Sequence, residues 1–303
     1  MIYTCTLNPS IDYVIGVDDF KEDQINRTKN ENMFPGGKGI NVSRMLKRQG
    51  ADSTAIGFTA GFTGDFIENF LAEEKITSDF IRADGYSRIN IKLKSSAETE
   101  INGQGPEIAE TQKLQLLKKI SALQEGDILV LAGSIPKSLG EDFYREAARI
   151  ARDAGAKTVI DAFGNALKNT FSMKPFLIKP NHHELGELFG TDIHSADEAV
   201  KYGRMLLDEG VQNVIVSMAG DGAVFINQES AFIANVPAGE IKNSVGAGDS
   251  VVAGFLAGYT MHGDVKKAFR QGVAAGSATA FSEDLAEREL VRQLIEKITV
   301  REI

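Results

Sequence analysis

The chain is poor in residues that support several common kinds of structure. Its 303 residues include one cysteine, Cys5, and no tryptophan. A single cysteine excludes an internal disulfide and favours a reducing compartment, so we expect a cytoplasmic protein. No apolar run approaches the ~18 residues of a membrane span, and no basic residue precedes Lys21. The sequence therefore predicts neither a membrane partner nor a signal peptide.

Positive charge is also scarce. Lys and Arg total 33 against 42 for Asp and Glu, which gives a net charge of −9. Because no basic patch offsets this charge, we expect no nucleic-acid partner. A small anionic ligand is still compatible with the composition if a local cluster of Lys and Arg surrounds it.

Strand-like and helix-like segments alternate along most of the chain. Short apolar runs such as 2–7, 127–133 and 157–162 are typical of strands buried on both faces, and helical segments such as 141–155 lie between them. The length is compatible with two domains or with one large α/β domain. The alternation predicts an α/β fold with a mostly parallel central sheet covered by helices.

Two segments break this alternation. Residues 86–103 alternate in side-chain character with period two around a turn-rich SSAE, which predicts a β-hairpin. Residues 11–34 are irregular and read as extended. We therefore predict a small β-sheet lid, built from 11–34 and 86–103, over the carboxyl ends of the main strands, where open α/β sheets bind ligands. Extended lid strands can pair between two chains, so we expect a homodimer through the lid.

A glycine-rich segment, NSVGAGDS, precedes an apolar helical run. Gly246, Ala247 and Gly248 stand directly before Asp249. The unpaired N–H groups of a helix N-terminus attract anions, and glycines let an anion approach the backbone. Pre-oriented amides stabilise a phosphoryl group in transfer, and an Asp in the first turn can accept the proton of an attacking hydroxyl. The spacing predicts an anion hole with a base, although a glycine-rich packing turn would look the same.

Two further segments place basic residues near flexible or extended backbone. In FPGGKGINVSR, Gly37 frees the backbone and Lys38 supplies a point charge before a helix, which suits a phosphate or sugar hydroxyls. In RINIKL, the side chains of Arg88, Asn90 and Lys92 share one face of a strand, where they would meet a sugar phosphate. The alternatives are a turn that opens a helix and a solvated hairpin face.

Two more segments suit a metal ion and a nucleotide. In KPNHHELGE, Asn181 and Glu184 offer hard oxygen ligands to Mg²⁺, which usually keeps several waters; polar helix caps are the alternative. The adjacent His182 and His183 do not favour zinc, because neighbours on a chain point in different directions and no cysteine is near. The glycines of VSMAGDGAVF, at 216–225, would let a nucleotide lie close to the backbone, and a plain hairpin turn is the alternative.

In combination these segments carry more weight. The chain resembles the ribokinase-like carbohydrate kinases of the PfkB family. The resemblance lies in six segments, which occur in the order NPSID, GGKGINVSR, AGSIP, KPNHHE, VSMAGDG and NSVGAGDS. The resemblance covers essentially the whole chain, and GAGD and GGKGIN are its signature segments. It implies one ribokinase-like three-layer sandwich over 1–303 with the discontinuous β lid, ATP and Mg²⁺ as cofactors, and a small-molecule phosphosugar as the partner. The nearest branch phosphorylates D-fructose 1-phosphate at the 6-hydroxyl, and tagatose 6-phosphate is the alternative acceptor.

The resemblance also implies a role for each matching residue. Asp249 would be the base, and Gly246, Ala247 and Gly248 would form the anion hole. The phosphosugar would be held by Asp12, Gly37, Lys38, Asn41, Arg88, Asn90 and Ser134. The ATP site would comprise Lys179, Ser217, Met218, Ala219, Gly220, Asp221, Gly222 and Gly248. Asn181 and Glu184 would organise Mg²⁺ through water.

Two departures from the general family pattern bear on the acceptor. Ser244 stands where the family generally has Thr, and Lys38 stands where the minor 6-phosphofructokinase of the family tends to have Gly. Both favour the fructose 1-phosphate branch. A non-catalytic sugar-phosphate sensor on the same fold is the alternative outside enzymes, but a sensor needs neither Asp249 nor the Asn181–Glu184 pair. A Rossmann dehydrogenase is excluded, because no G-x-G-x-x-G follows the first strand.

Overall fold

The computed structural model describes residues 1–303 and contains two separate β-sheets. The strands, in chain order, are β1 (Ile2–Thr6), β2 (Ser10–Gly16), β3 (Asn30–Gly36), β4 (Ser53–Ala60), β5 (Thr77–Ala83), β6 (Arg88–Lys94), β7 (Glu98–Asn102), β8 (Ile128–Ala132), β9 (Lys157–Asp161), β10 (Leu177–Ile178), β11 (Asn213–Ser217), β12 (Ala223–Asn227), β13 (Ala231–Ala234) and β14 (Val300–Glu302). The large sheet has ten strands in the order β14-β13-β12-β11-β10-β9-β8-β1-β4-β5.

Most of the large sheet is parallel, as the alternation of segments predicts. Every pairing from β11 across to β5 is parallel, whereas β12, β13 and β14 add an antiparallel edge. All five residues of β8 are buried, because both faces of a parallel sheet are covered. β5 is an edge strand that the sequence analysis did not identify, since its exposed and part-buried residues give no continuous apolar run.

Helices cover both faces of the large sheet and form the outer two layers. They are α1 (Lys38–Gln49), α2 (Gly61–Glu73), α3 (Glu110–Ser121), α4 (Phe143–Asp153), α5 (Gly164–Lys168), α6 (His182–Phe189), α7 (Ala196–Asp208), α8 (Ala247–His262), α9 (Val265–Ala280) and α10 (Arg288–Ile295). α3, α4, α6 and α7 pack into one core, and α1, α8, α9 and α10 into the core on the opposite face. This arrangement confirms the three-layer α/β fold. None of the helices has the length and apolarity needed to cross a bilayer.

The small sheet contains four strands in the order β3-β2-β6-β7. β2 pairs parallel with β6, and each of them pairs antiparallel with its own hairpin partner. In this register Asp12 lies opposite Asn90, which lies opposite Asn102, so their side chains share one face. That face borders the cavity described below, at the carboxyl ends of the main strands. The strands fall within or directly beside the two segments, 11–34 and 86–103, that the sequence singled out.

Candidate active site

A cavity of about 600 Å³ lies between the small sheet and the carboxyl ends of the large sheet. It brings together most of the site residues predicted from the sequence. These are Asp12, Gly37, Lys38, Asn41, Arg88, Asn90, Ser134, Lys179, Asn181, Glu184, Gly246, Gly248 and Asp249. Thr6, Asn8, Lys92 and Glu100 also line the cavity. The residues come from strands far apart in sequence, because parallel strands direct their carboxyl ends to the same edge.

The glycine-rich segment forms the N-terminus of α8. Gly246 is the N-cap residue with φ 77°, a left-handed conformation that favours glycine. A Cβ at Gly246 would lie 2.7 Å from Cδ2 of Leu285, so a side chain here would both strain the backbone and displace Leu285. The amide of Ser250 donates to the carbonyl of Gly246 at 2.8 Å, and the amides of Gly248 and Asp249 precede this first intrahelical bond.

Ala247 differs from its two glycine neighbours in one respect. Its amide donates to the carbonyl oxygen of Ser244 at 3.3 Å, so that amide already has a partner. The turn is closed by the backbone of Ser244, and no side chain caps the helix. Of the predicted anion-hole residues, Ala247 therefore offers no free amide, whereas Gly248 does, and the free amide of Asp249 adds a donor that was not predicted for this role.

Asp249 is buried in the first turn of α8, with 6% of its surface exposed. The amide Nδ2 of Asn41 donates to its Oδ2 at 2.8 Å, which fixes the carboxylate. Burial raises the pKa of Asp249 to about 6, and the charge of Asp161 adds to the increase, whereas Lys38, Asn41 and Lys179 oppose it. Asp249 is therefore a stronger base than an ordinary aspartate, yet it is mostly ionised at neutral pH.

Asp161 is a site residue that the sequence analysis missed. It is the last residue of β9, with 1% of its side chain exposed. Its Oδ1 accepts a hydrogen bond from Nζ of Lys38 at 2.9 Å and lies 3.6 Å from Nζ of Lys179. Burial opposes the charge of Asp161, but the two lysines outweigh it and lower the pKa of the carboxyl. The available signal was an acid at the end of the apolar run TVID.

The cavity face of the small sheet is polar and connected by hydrogen bonds. Oδ1 of Asp12 accepts from Ser10 at 2.7 Å and from Nδ2 of Asn90 at 3.0 Å, and its Oδ2 lies 3.4 Å from Nζ of Lys92. Burial lowers the pKa of Arg88, although the charge of Asp12 acts in the opposite direction. This face therefore points into the cavity and is not the solvated hairpin face that the sequence allowed as an alternative.

Several buried polar atoms around the cavity have no hydrogen-bond partner. They are Oγ1 of Thr6, Oδ1 of Asn8, Oδ1 of Asn90 and Oγ of Ser134. Buried polar groups in native proteins are nearly always paired. Four unpaired groups around one cavity therefore indicate the place of a polar ligand rich in hydroxyls.

The Asn181–Glu184 pair is used locally as a capping box of α6. Oδ1 of Asn181 accepts from the amide of Glu184, and Oε2 of Glu184 accepts from the amide of Asn181, both at 2.8 Å. No group of three His, Cys, Asp or Glu side chains is arranged to hold a metal ion. One carboxylate oxygen of Glu184 stays outside the capping box beside the cavity, and such a sparse donor set fits an ion like Mg²⁺, which keeps its waters and binds phosphates.

The segment Ser217–Gly222 does not line the cavity. It forms a tight turn between β11 and β12, where the amide of Met218 donates to the carbonyl of Gly222 at 2.8 Å. The side chain of Met218 is buried in the core, so only its backbone is available to a ligand. Asn181 forms a parallel bridge with Ser217, which places the turn next to the cavity edge.

Comparisons with known proteins agree with this geometry. The sequence profile of the pfkB family of carbohydrate kinases matches residues 5–289. The chain is 54% identical over 300 residues to 1-phosphofructokinase from Bacillus subtilis, covering 99% of each chain. It is 40% identical over 301 residues to D-tagatose-1-phosphate kinase from Bacillus licheniformis, again covering 99% of each. A crystal structure of phosphofructokinase-2 from Escherichia coli with substrates and products superposes with a TM-score of 0.93 at 26% identity over 98% of both chains. A match of this extent shows that the chain is a sugar phosphotransferase that belongs to the pfkB family of carbohydrate kinases.

Proposed function

We propose that the protein transfers a phosphoryl group from ATP to the 6-hydroxyl of D-fructose 1-phosphate, which yields fructose 1,6-bisphosphate. The observation that carries this proposal is the buried carboxylate of Asp249, fixed by Asn41 beside the free amides of the α8 N-terminus. A base and an anion hole in one helical turn suit in-line phosphoryl transfer, in which positioning and charge stabilisation supply most of the catalysis. The relatives favour an acceptor that bears a 1-phosphate, because two of them are named 1-phosphofructokinase and D-tagatose-1-phosphate kinase.

The acceptor half of the cavity carries both hydroxyl partners and cations. Asp12, Asn41 and Asn90 offer carboxylate and amide groups to sugar hydroxyls, while Lys38 and Arg88 supply positive charge for the phosphate that the sugar already bears. Asp249 takes the proton of the 6-hydroxyl. The oxygen of that hydroxyl forms a bond to the γ-phosphorus as the bond from phosphorus to the departing ADP oxygen breaks.

The donor half of the cavity is proposed to take ATP with Mg²⁺. Nζ of Lys179 lies 3.1 Å from the position of an ideal Cβ on Gly248, so the charge of Lys179 is next to the anion hole. Glu184 would hold Mg²⁺ through water, and the ion would neutralise charge on the phosphate oxygens. The backbone of the Ser217–Gly222 turn would border the nucleotide. Because ATP and phosphosugars are held inside cells, we also propose a cytoplasmic location, which suits the unpaired thiol of Cys5.

We further propose that the small sheet acts as a lid and forms a homodimer through its outer face. That face is apolar, with Met33, Ile89 and Ile101 between 42% and 59% exposed. Phe62 and Tyr86 stack edge to face nearby and are also exposed. Apolar surface of this kind on a sheet face is typical of a site covered by a partner. Ile101→Lys should yield monomers in sedimentation velocity, whereas Leu114→Lys, at an equally exposed site on α3, should not.

An ADP-release assay tests the function. Fructose 1-phosphate, tagatose 1-phosphate, fructose 6-phosphate and tagatose 6-phosphate should be compared side by side, with Asp249→Ala as the catalytic control. We expect the highest kcat/KM for fructose 1-phosphate and a loss of at least about 10³-fold in the variant. A preference for tagatose 1-phosphate or for either 6-phosphate would refute the acceptor assignment. Calorimetric binding of the phosphosugar without any turnover would instead favour the sensor.

A further inference from the structure

A buried acid, Asp161, lies between the two halves of the cavity. Its Oδ1 contacts the ammonium groups of Lys38, at the start of α1, and of Lys179, which follows β10. Its Oδ2 is buried and has no hydrogen-bond partner. An ionised carboxylate is costly to bury unless it is paired, and here the two ammonium groups supply the pairing.

The two lysines serve different parts of the cavity. Lys38 stands beside Gly133, whose Cβ position would be 3.7 Å from Cβ of Lys38, and thus next to Ser134 on the acceptor side. Lys179 reaches the anion hole at Gly248 on the donor side. Without a carboxylate between them, two ammonium groups this close would repel each other and move apart.

The strengths of the two contacts differ in a way that suits transfer. Nζ of Lys38 makes a hydrogen bond of 2.9 Å, whereas Nζ of Lys179 stands at 3.6 Å, beyond a direct hydrogen bond. Lys38 is therefore held tightly, and Lys179 keeps its donors free for an oxygen at the anion hole.

We propose that Asp161 is a positioning residue for phosphoryl transfer, which holds the charges of Lys38 and Lys179 on the acceptor and donor sides of the path between the two substrates. This inference rests on the proposed function, because it concerns the same reaction. Asp161 itself touches neither substrate, since it does not line the cavity. It also adds negative charge near the base Asp249, which faces Asp161 on β9, Lys38 on α1, Lys179 after β10 and the amide of Asn41.

The test is Asp161→Asn, an isosteric change that removes the charge. We expect kcat to fall about 100-fold, while KM for ATP and for the phosphosugar changes by no more than about threefold, because the lysines remain but are no longer held in place. The acid limb of the kcat/KM profile should move to lower pH, since a negative neighbour of the base is gone. Asp127→Asn is the matched control: it removes a charge at the opposite end of the sheet, beside the N-terminus, and should leave the profile in place.

A second pair of variants keeps the inference testable if Asp161→Asn does not fold. When Lys38 has already been replaced by Met, Asp161→Asn leaves no lysine ammonium unpaired at the 2.9 Å contact between residues 38 and 161. The acid limb should again move to lower pH, and the loss in kcat should be smaller than with Lys38 present, because the residue acts through the lysine. An unmoved acid limb, or an Asp161→Asn enzyme within threefold of wild-type kcat, would overturn the inference. An inactive wild-type enzyme would count against the proposed function instead.

Discussion

Replacing Asp249 with Asn is expected to stabilise the fold while it removes activity. Burial raises the pKa of Asp249 from 3.8 to about 6. The ionised carboxylate is therefore less stable in the folded protein than in the unfolded chain, by an amount that corresponds to roughly two pH units. At 1.36 kcal/mol per unit, the cost of keeping this carboxylate ionised at pH 7 is about 3 kcal/mol. Asn has nearly the same shape, and its carbonyl oxygen can still accept the hydrogen bond from Asn41.

The sign of the effect follows from proton linkage. Between pH 4 and pH 6 the native protein binds a proton at Asp249 that the unfolded chain has already lost, so wild-type stability falls as pH rises through this range. Above pH 6 the loss of stability caused by the ionised Asp249 is constant, and below pH 4 this loss vanishes. For a chain of this length, about 3 kcal/mol corresponds to a rise in Tm of roughly 5 °C for Asp249→Asn at pH 7.

Calorimetry and steady-state kinetics measure the two halves of this prediction. Tm of Asp249→Asn should exceed that of wild type at pH 7, and the difference should shrink towards pH 4. In wild type, kcat/KM should be about tenfold lower at pH 5 than at pH 7, because only about a tenth of the base is ionised one unit below its pKa. Asp127→Asn is a control of opposite sign: its hydrogen bond to the N-terminus lowers the pKa of Asp127 despite partial burial, so removing the charge should reduce Tm.

Two results would refute the reasoning about Asp249. Equal Tm values for wild type and Asp249→Asn at pH 7 would show that the carboxylate carries no burial cost. An acid limb centred near pH 4 would show that the base has an ordinary pKa.

Three other predictions concern the anion hole, the core and the metal. Gly246→Ala should lower kcat about 100-fold, since alanine is strained in the left-handed conformation of Gly246 and a shift of this turn moves the neighbouring amides; unchanged kinetics would contradict this. Arg44→Met should lower the free energy of unfolding by about 1.5–3 kcal/mol in urea titrations, because it removes the buried guanidinium that binds Glu74 and Asp284 while Arg48 still contacts both carboxylates; a change below about 1 kcal/mol would be inconsistent. Glu184→Gln should raise the Mg²⁺ concentration for half-maximal rate about tenfold, whereas Glu198→Gln, which alters a cap on α7, should leave it unchanged. Equal responses of the two variants would show that Glu184 serves only as a helix cap.

The regular pattern of the chain was sufficient to predict the main fold. Apolar runs of five or six residues, each followed by an amphipathic segment, predict buried parallel strands with helices on both faces. One half of the small sheet was recognisable because residues 86–103 change to a period of two. β5 was missed, since an edge strand with few buried side chains lacks the continuous apolar run used to identify the others.

The geometry of a local motif can be predicted from the sequence where neighbouring residues alone set it, whereas the functional roles assigned to these motifs stay predictions. The GAGD segment is a helix N-terminus with an acid in its first turn, which the order of residues alone dictates. The Asn181–Glu184 spacing is likewise a local capping box. The segment Ser217–Gly222 has the predicted turn, but its distance from the cavity depends on how β11 lies beside β10, and the sequence does not specify that.

By itself, the sequence determined the α/β architecture, the segments that form the small sheet, the place of Asp249 as an acid in the first turn of a helix, and the family to which the chain belongs. Only the tertiary structure decided that Asp161 meets Lys38 and Lys179, and that Asp249 is buried enough to have a raised pKa. The physical reason is that sequence pattern reports which faces are apolar and where the backbone turns. Contacts between charges 123 residues apart, such as that of Lys38 with Asp161, arise only when the strand order brings the carboxyl ends of separate strands to one edge.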